Sequence, residues 1–146
     1  MTGYADTSFL VSLYTLDTNS SCAAKLMGAK PSLLLTPFGE LELLNALELR
    51  GFRKELSRRE VRRAHDTFES DRDSGIFSLQ PVPTSVYAVA GRISRRRAFE
   101  LGVRTLDILH VASALVLKAE AFYTFDERQQ DLANAEGLRT EGNPVS

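Results

Sequence analysis

The sequence predicts an α/β domain built on a mainly parallel sheet of four or five strands, covered by helices on both faces. Three observations predict it. Short apolar runs of strand length alternate with helical patterns along the whole chain. Each strand is separated from the next by at least one helix, which requires crossover connections. The run PSLLLT reads as a strand buried on both faces, as parallel sheets demand. No repeat, low-complexity segment or internal linker interrupts the pattern, so one domain over residues 1–146 is expected.

The elements follow in order. GYAD is a short strand, and from Ser8 to about Leu16 apolar positions recur at helical spacing. Asn19 is placed to cap a second helix with Cys22, Ala23, Leu26 and Met27 in one apolar stripe. After PSLLLT, Thr36 followed by Pro37 is a helix start, and that helix runs to about Arg50, before Gly51. Ser57 and Glu60 form a capping box for a helix ending near Arg72, and DSG turns the chain into the strand IFSLQPV. Thr84 or Ser85 opens a helix that stops near Leu101, where Gly102 supplies a left-handed residue. Thr105 is the expected cap of LDILHVASALVLK, which is apolar over most of its circumference. AFYTF is a strand, DERQQDLANAEG a helix, and LRTE an edge strand.

Composition bounds the function. The chain has 146 residues with 43% hydrophobic and 25% charged, and no apolar run approaches the roughly 18 residues of a membrane span. The lone Cys22 excludes an internal disulfide, and the N-terminus lacks the marks of a signal peptide, so a cytoplasmic protein is expected. The net charge of -1 is unevenly spread: of 18 basic residues, seven lie in RGFRKELSRREVRR and five in GRISRRRAFELGVR. Arginine predominates, and its planar fork grips a phosphate with two hydrogen bonds. The alternative is a solvated helix face, with Glu55 and Glu60 interleaved as partners at helical spacing.

Acidic residues converge on one rim. Asp6 and Asp126 each end a strand just before a helix, and in an open parallel sheet ligands bind at the carboxyl ends of the strands. Asp107 lies in the first turn of a buried helix, and Glu40 and Glu42 lie early in the helix after PSLLLT, whose apolar circumference implies burial on more than one side. Each aspartate also suits a plain capping role. Four carboxylates at one rim raise one another's pKa unless a cation intervenes. All-oxygen ligation favours Mg²⁺ or Mn²⁺, which activates water for attack on a phosphodiester. Arg50 and Arg53 from the first basic block, with Arg95, Arg96 and Arg97 from the second, are then candidates for holding a nucleic-acid backbone.

The segments YADTSFLVSLY, ELELLNAL, RTLDILHVASAL and FYTFDERQQDLA, in this order, resemble the PIN-domain family and its VapC-type toxin ribonucleases. The resemblance spans Tyr4 to about Leu138. It implies a three-layer α/β/α fold, a metal-dependent endoribonuclease site, a cognate VapB-like antitoxin and a homodimer. Carried over by motif, it assigns Asp6, Asp107 and Asp126 as metal ligands and catalytic acids and selects Glu42, ahead of Asn45 and Ala46, as the fourth. Ser8 and Thr124 fall at hydroxyl positions that orient ligands. Two other functions compete: a catalytically silent domain of the same fold that binds RNA or protein, and a phosphoacceptor receiver. The receiver needs an acidic pair after the first strand, where Asp6 stands alone. His110 is expected to be packed and hydrogen-bonded rather than a ligand or base, and Cys22 a buried thiol.

Overall fold

The computed structural model describes Thr2–Asn143. In chain order the elements are β1 (Thr2–Ala5), α1 (Thr7–Tyr14), α2 (Ser20–Gly28), β2 (Ser32–Leu35), α3 (Pro37–Phe52), α4 (Arg58–Asp73), β3 (Phe77–Leu79), α5 (Val86–Ile93), a π-helical segment (Ser94–Ala98), α6 (Phe99–Leu101), α7 (Thr105–Val116), β4 (Ala121–Thr124), α8 (Glu127–Ala135) and β5 (Arg139–Gly142). The five strands form one sheet in the order β3-β2-β1-β4-β5, with every neighbouring pair parallel.

Side chains alternate across a strand, so the sheet divides the core in two. Ala5, Leu33, Leu35, Ala121 and Tyr123 pack with Phe9, Leu43, Leu47 and Phe68 from α1, α3 and α4. Tyr4, Leu34 and Phe122 on the other face pack with Val86, Ile93, Val111 and Leu132 from α5, α7 and α8. The result is three layers, α/β/α. β1 is the middle strand, and the chain leaves it first toward β2 and β3, then returns to build β4 and β5 on its other side. The connections therefore diverge between β1 and β4, which opens a crevice at the carboxyl ends of these two strands.

Several boundaries differ from the sequence expectation for identifiable reasons. IFSLQPV is a strand only over Phe77–Leu79, because Pro81 and Pro83 follow and have no N–H to donate. Asn19 makes no side-chain cap bond. Thr105 is not the cap but the first helical residue, and Asp107 Oδ2 reaches back to accept from Arg104 N at 3.0 Å. α3 continues through Gly51 to Phe52 and is buried on one side only, at Gly39, Leu43 and Leu47. The burial on several sides that its composition implied is not present: Leu41 and Phe52 are 67% and 82% exposed. Gly102 does supply the left-handed stop, at φ 65°.

At Gly3 the core dictates glycine, since a Cβ there would stand 2.5 Å from Cε1 of the buried Tyr123 ring. Gly3→Ala should cost about 1–3 kcal/mol of overpacking, read as a lower urea midpoint with an unchanged far-ultraviolet circular dichroism spectrum. An unchanged midpoint would mean that the Tyr123 ring yields freely.

Candidate active site

Each of the three aspartates at the crevice is held by the bonds that start a helix. Asp6 follows β1 and donates its N–H to Tyr123 O of β4 at 3.1 Å. Its Oδ1 accepts from Phe9 N at 3.1 Å, which caps α1, and from Ser8 Oγ at 2.7 Å. Its Oδ2 accepts from Thr124 Oγ1 at 2.6 Å. Asp126 caps α8 by accepting from Gln129 N at 3.0 Å. Glu42, in the second turn of α3, accepts from Thr7 Oγ1 and lies 2.6 Å from His110 Nε2. The capping role and the approach to the rim are thus one set of contacts.

Ser8 and Thr124 join the two strand ends. Each hydroxyl gives its proton to Asp6 and takes a backbone N–H from the turn after β4: Phe125 N to Ser8 Oγ at 3.0 Å, and Asp126 N to Thr124 Oγ1 at 3.0 Å. Asp6, Glu42, Asp107 and Asp126 line one cavity of about 210 Å³ together with Thr7, Ser8, Arg104, His110 and Gln129. Glu40 points elsewhere and pairs with Arg72 of α4 at 2.8 Å. The structure therefore separates the two glutamates that periodicity could not.

Residues 4–135 match the family model of the PIN domain. The chain belongs to the PIN-domain family. Solved structures similar to this PIN domain include Mycobacterium tuberculosis VapC20, a toxin that cleaves the sarcin-ricin loop. It is 20% identical, with TM-score 0.69, covering 93% of this chain and 95% of that one. Neisseria gonorrhoeae FitAcB is 16% identical, with TM-score 0.66 and coverage of 94% and 95%. Rickettsia felis VapBC2, solved bound to a DNA fragment from its promoter, is 14% identical, with TM-score 0.65 and coverage of 97% and 98%. At these identities the likeness is one of fold. No curated protein matches the chain.

The electrostatics of this PIN domain's cavity are asymmetric. Burial pushes the Asp6 carboxyl above the usual range, against the hydrogen bonds from Thr124 and Ser8 that favour its charge. Burial, rather than the mutual repulsion of carboxylates expected from the sequence, is the main cause, because Asp6 is only 3% exposed. Burial also acts to raise Glu42, but the hydrogen bonds from His110 and Thr7 and the charge of His110 outweigh it and hold this acid below the usual range.

His110 is packed and hydrogen-bonded, yet it is also part of the site. Its Nδ1 lies 2.7 Å from the Tyr4 hydroxyl, which in turn lies 3.3 Å from Thr36 Oγ1. Tyr4, Thr7, Arg104 and Gln129 are site residues that sequence reasoning missed. Only Arg104 carried a signal, as a member of the second basic block three residues before Asp107.

The donor set suits a hard cation. Four carboxylates line the cavity, and Gln129, a further residue of its wall, has a buried Oε1 with no hydrogen-bond partner. In the present arrangement, among the described residues, no three His, Cys, Asp or Glu side chains are gathered tightly enough to hold an ion. The carboxylates are drawn instead onto helix N–H groups, hydroxyls, His110 and Arg104, whose Nε is 3.8 Å from Asp107 Oδ2.

The arginines divide into two groups. Arg50 and Arg53 line a second groove of about 320 Å³ that shares Ser8 and Asp126 with the acidic cavity. Arg96 and Arg97 are bound to Glu136, the C-cap of α8, and Arg97 also donates to Ala135 O at 2.9 Å. Neither they nor Arg95 line the cavity or that groove.

Two outcomes follow from these contacts. Because the folded pKa of Asp6 lies above its ordinary value of 3.8, the metal-free fold loses stability as pH rises from about that value through the raised one. Asp6→Asn should therefore be more stable than the parent at pH 7 in EDTA and lose this advantage near pH 4, measured by urea unfolding across pH. His110→Phe should cost about 1–3 kcal/mol, because it leaves the buried Tyr4 hydroxyl short of a partner. Adding Tyr4→Phe should recover part of that loss, and a strictly additive double variant would show that the two groups are not coupled.

Proposed function

We propose that this PIN domain, a single domain over residues 1–146, is a metal-dependent endoribonuclease and the toxin of a toxin–antitoxin pair. One observation carries the reading: Asp6, Glu42, Asp107 and Asp126 come from four separate elements and line one cavity at the strand switch point. In this reading Asp6, Asp107 and Asp126 hold Mg²⁺ or Mn²⁺, and Gln129 Oε1 accepts from a ligand of the site. A bound ion of this kind lowers the pKa of water and offsets charge on phosphoryl oxygens.

The protein's own groups do the rest. Ser8 and Thr124 fix both oxygens of Asp6. Glu42, kept ionised by Thr7 and His110, accepts a proton from the attacking water. Arg104 presents a guanidinium at the cavity wall for the scissile phosphate. Arg50 and Arg53 receive neighbouring phosphates along the adjoining groove. We place Arg95, Arg96 and Arg97 lower in this role, because none of them lines the cavity or the adjoining groove.

Similarity to VapC20, VapBC2 and FitAcB supports the toxin assignment and a VapB-like antitoxin as partner; a cytoplasmic homodimer is the assembly we propose. Among the described residues no helix is long and apolar enough to cross a membrane. The receiver alternative is set aside, since receivers have strand order 2-1-3-4-5 and this sheet is β3-β2-β1-β4-β5.

RNA pools incubated with the purified chain should be cut in Mg²⁺ or Mn²⁺ and spared in EDTA. Asp6→Asn should lower the rate by at least about 10²-fold without unfolding the chain. Undiminished cleavage by that variant sinks the mechanism. Metal binding without turnover across several pools would instead identify a silent RNA- or protein-binding domain.

A further inference from the structure

We propose that the α3–α4 hairpin is a second RNA-binding surface, which takes the strand several nucleotides away from the cleaved bond. The inference rests on the reading of RNA as substrate and locates where its length is sensed.

Charge is the first observation. Residues 50–63 hold seven basic and two acidic side chains, against eleven basic and seventeen acidic in the rest of the chain. A nearly neutral molecule thus carries a local excess of five positive charges at the turn of the hairpin, residues 50–63. Its two glutamates neutralise little of that charge. Glu60 closes the capping box with Ser57, and Glu55 pairs with Arg50 at 3.2 Å. Among the described residues Arg53, Lys54, Arg58, Arg59, Arg62 and Arg63 have no ion-pair partner, and all six are exposed.

Shape is the second. Phe52, 82% exposed at the last turn of α3, borders a groove of about 470 Å³ whose wall also includes Gly51, Arg58, Arg62 and His65. The one carboxylate there, Glu48, is tied to His65 at 3.1 Å. An exposed ring flanked by guanidinium groups fits a stacked base with a phosphate on either side, which is how single strands are held without sequence preference.

Continuity with the acidic cavity is the third. The groove lined by Arg50 and Arg53 shares Ser8 and Asp126 with that cavity and ends at the last turn of α3, and the Phe52 groove lies around that turn on another face of the helix. Ten residues of helix separate Glu42 from Phe52, a rise of about 15 Å. That distance corresponds to about four or five stacked nucleotides at 3.4 Å each. A short RNA therefore fills the cavity alone, and a longer one reaches the hairpin.

The test uses the full chain carrying Asp6→Asn, so that RNA survives, with fluorescein-labelled oligouridylates of 4 and 12 nucleotides read by anisotropy over a salt series. Adding Arg58→Glu and Arg62→Glu should weaken 12-mer binding about tenfold and lower its salt slope by about 1.4, the value for two phosphate contacts on a single strand. Binding of the 4-mer should not change. Phe52→Ala, at an exposed position, should weaken the 12-mer about tenfold through lost stacking while leaving the salt slope as it was. Equal 12-mer affinity and slope in parent and charge-reversed chains would overturn the proposal, as would equal losses for both lengths. Selective displacement of the 12-mer by polyglutamate over polyuridylate would overturn it too, by assigning the hairpin to an acidic protein. Failure of the unmodified chain to cut RNA, with the length dependence intact, removes the nuclease reading and leaves this surface standing.

Discussion

The buried carboxylate of Asp6 is the constraint on which the rest of the site depends. It sits at the end of the central strand, 3% exposed, where an ionised group is costly unless every oxygen is supplied with donors. Those donors come from both sides of the switch point: Phe9 N and Ser8 on α1, and Thr124 at the end of β4. Satisfying Asp6 therefore fixes where α1 begins and how close β1 and β4 lie at the rim. Through Thr124 Oγ1, which takes the Asp126 N–H, it also sets where the second strand-end acid is placed.

Glu42 meets the opposite fate on the same cavity wall. Burial alone would raise it as it raises Asp6, yet Thr7 and His110 supply hydrogen bonds that reverse the sign. His110 can do so because its far nitrogen is engaged by Tyr4 in the core, which fixes the ring and aims Nε2 at Glu42. Two carboxylates in one cavity thus differ in acidity: Asp6 stays raised despite three donors because it is 3% exposed, whereas the less buried Glu42 is held low by Thr7 and His110. The fold supplies both from elements needed anyway: Tyr4 is a core residue of β1, and Thr36, within reach of its hydroxyl, caps α3 by accepting from Gly39 N.

What was legible in the sequence is what neighbours along the chain decide. Thr36 before Pro37, Ser57 with Glu60 and Gly102 after Leu101 are local codes, and each operates in the fold as its spacing indicates. Alternation of strands and helices likewise led to a parallel sheet and hence to one rim for Asp6, Asp107 and Asp126. Contacts between distant residues were not legible. The bond from His110 to Glu42 spans 68 positions and that to Tyr4 spans 106, so a histidine in an apolar helix gave no sign of either. Arg96 and Arg97 read like Arg50 and Arg53 until Glu136, some 40 positions on, claims them. The one-sided burial of α3 was hidden for a related reason. Apolar composition reports what a helix could bury, and only the neighbouring layers decide what it does bury.

The distribution of charge also limits how the cavity can work. Four acids line it against one arginine, Arg104, and one histidine, so a phosphate entering alone meets net repulsion. The cations of the α3–α4 hairpin offset that field only weakly: the first of them, Arg50, stands about 12 Å along the helix from Glu42, roughly one and a half Debye lengths at physiological ionic strength, where that length is about 8 Å. They can bind other phosphates of the same polymer but cannot neutralise the acids. Compensation at the reacting phosphate has to be local, within the reach of direct contact. The groups with that reach are Arg104 and the oxygens of the carboxylates themselves, which attract a small cation far more strongly than they tolerate an anion. Anchoring a long strand and accepting one phosphate among acids are therefore separate electrostatic tasks, and the chain assigns them to opposite ends of α3.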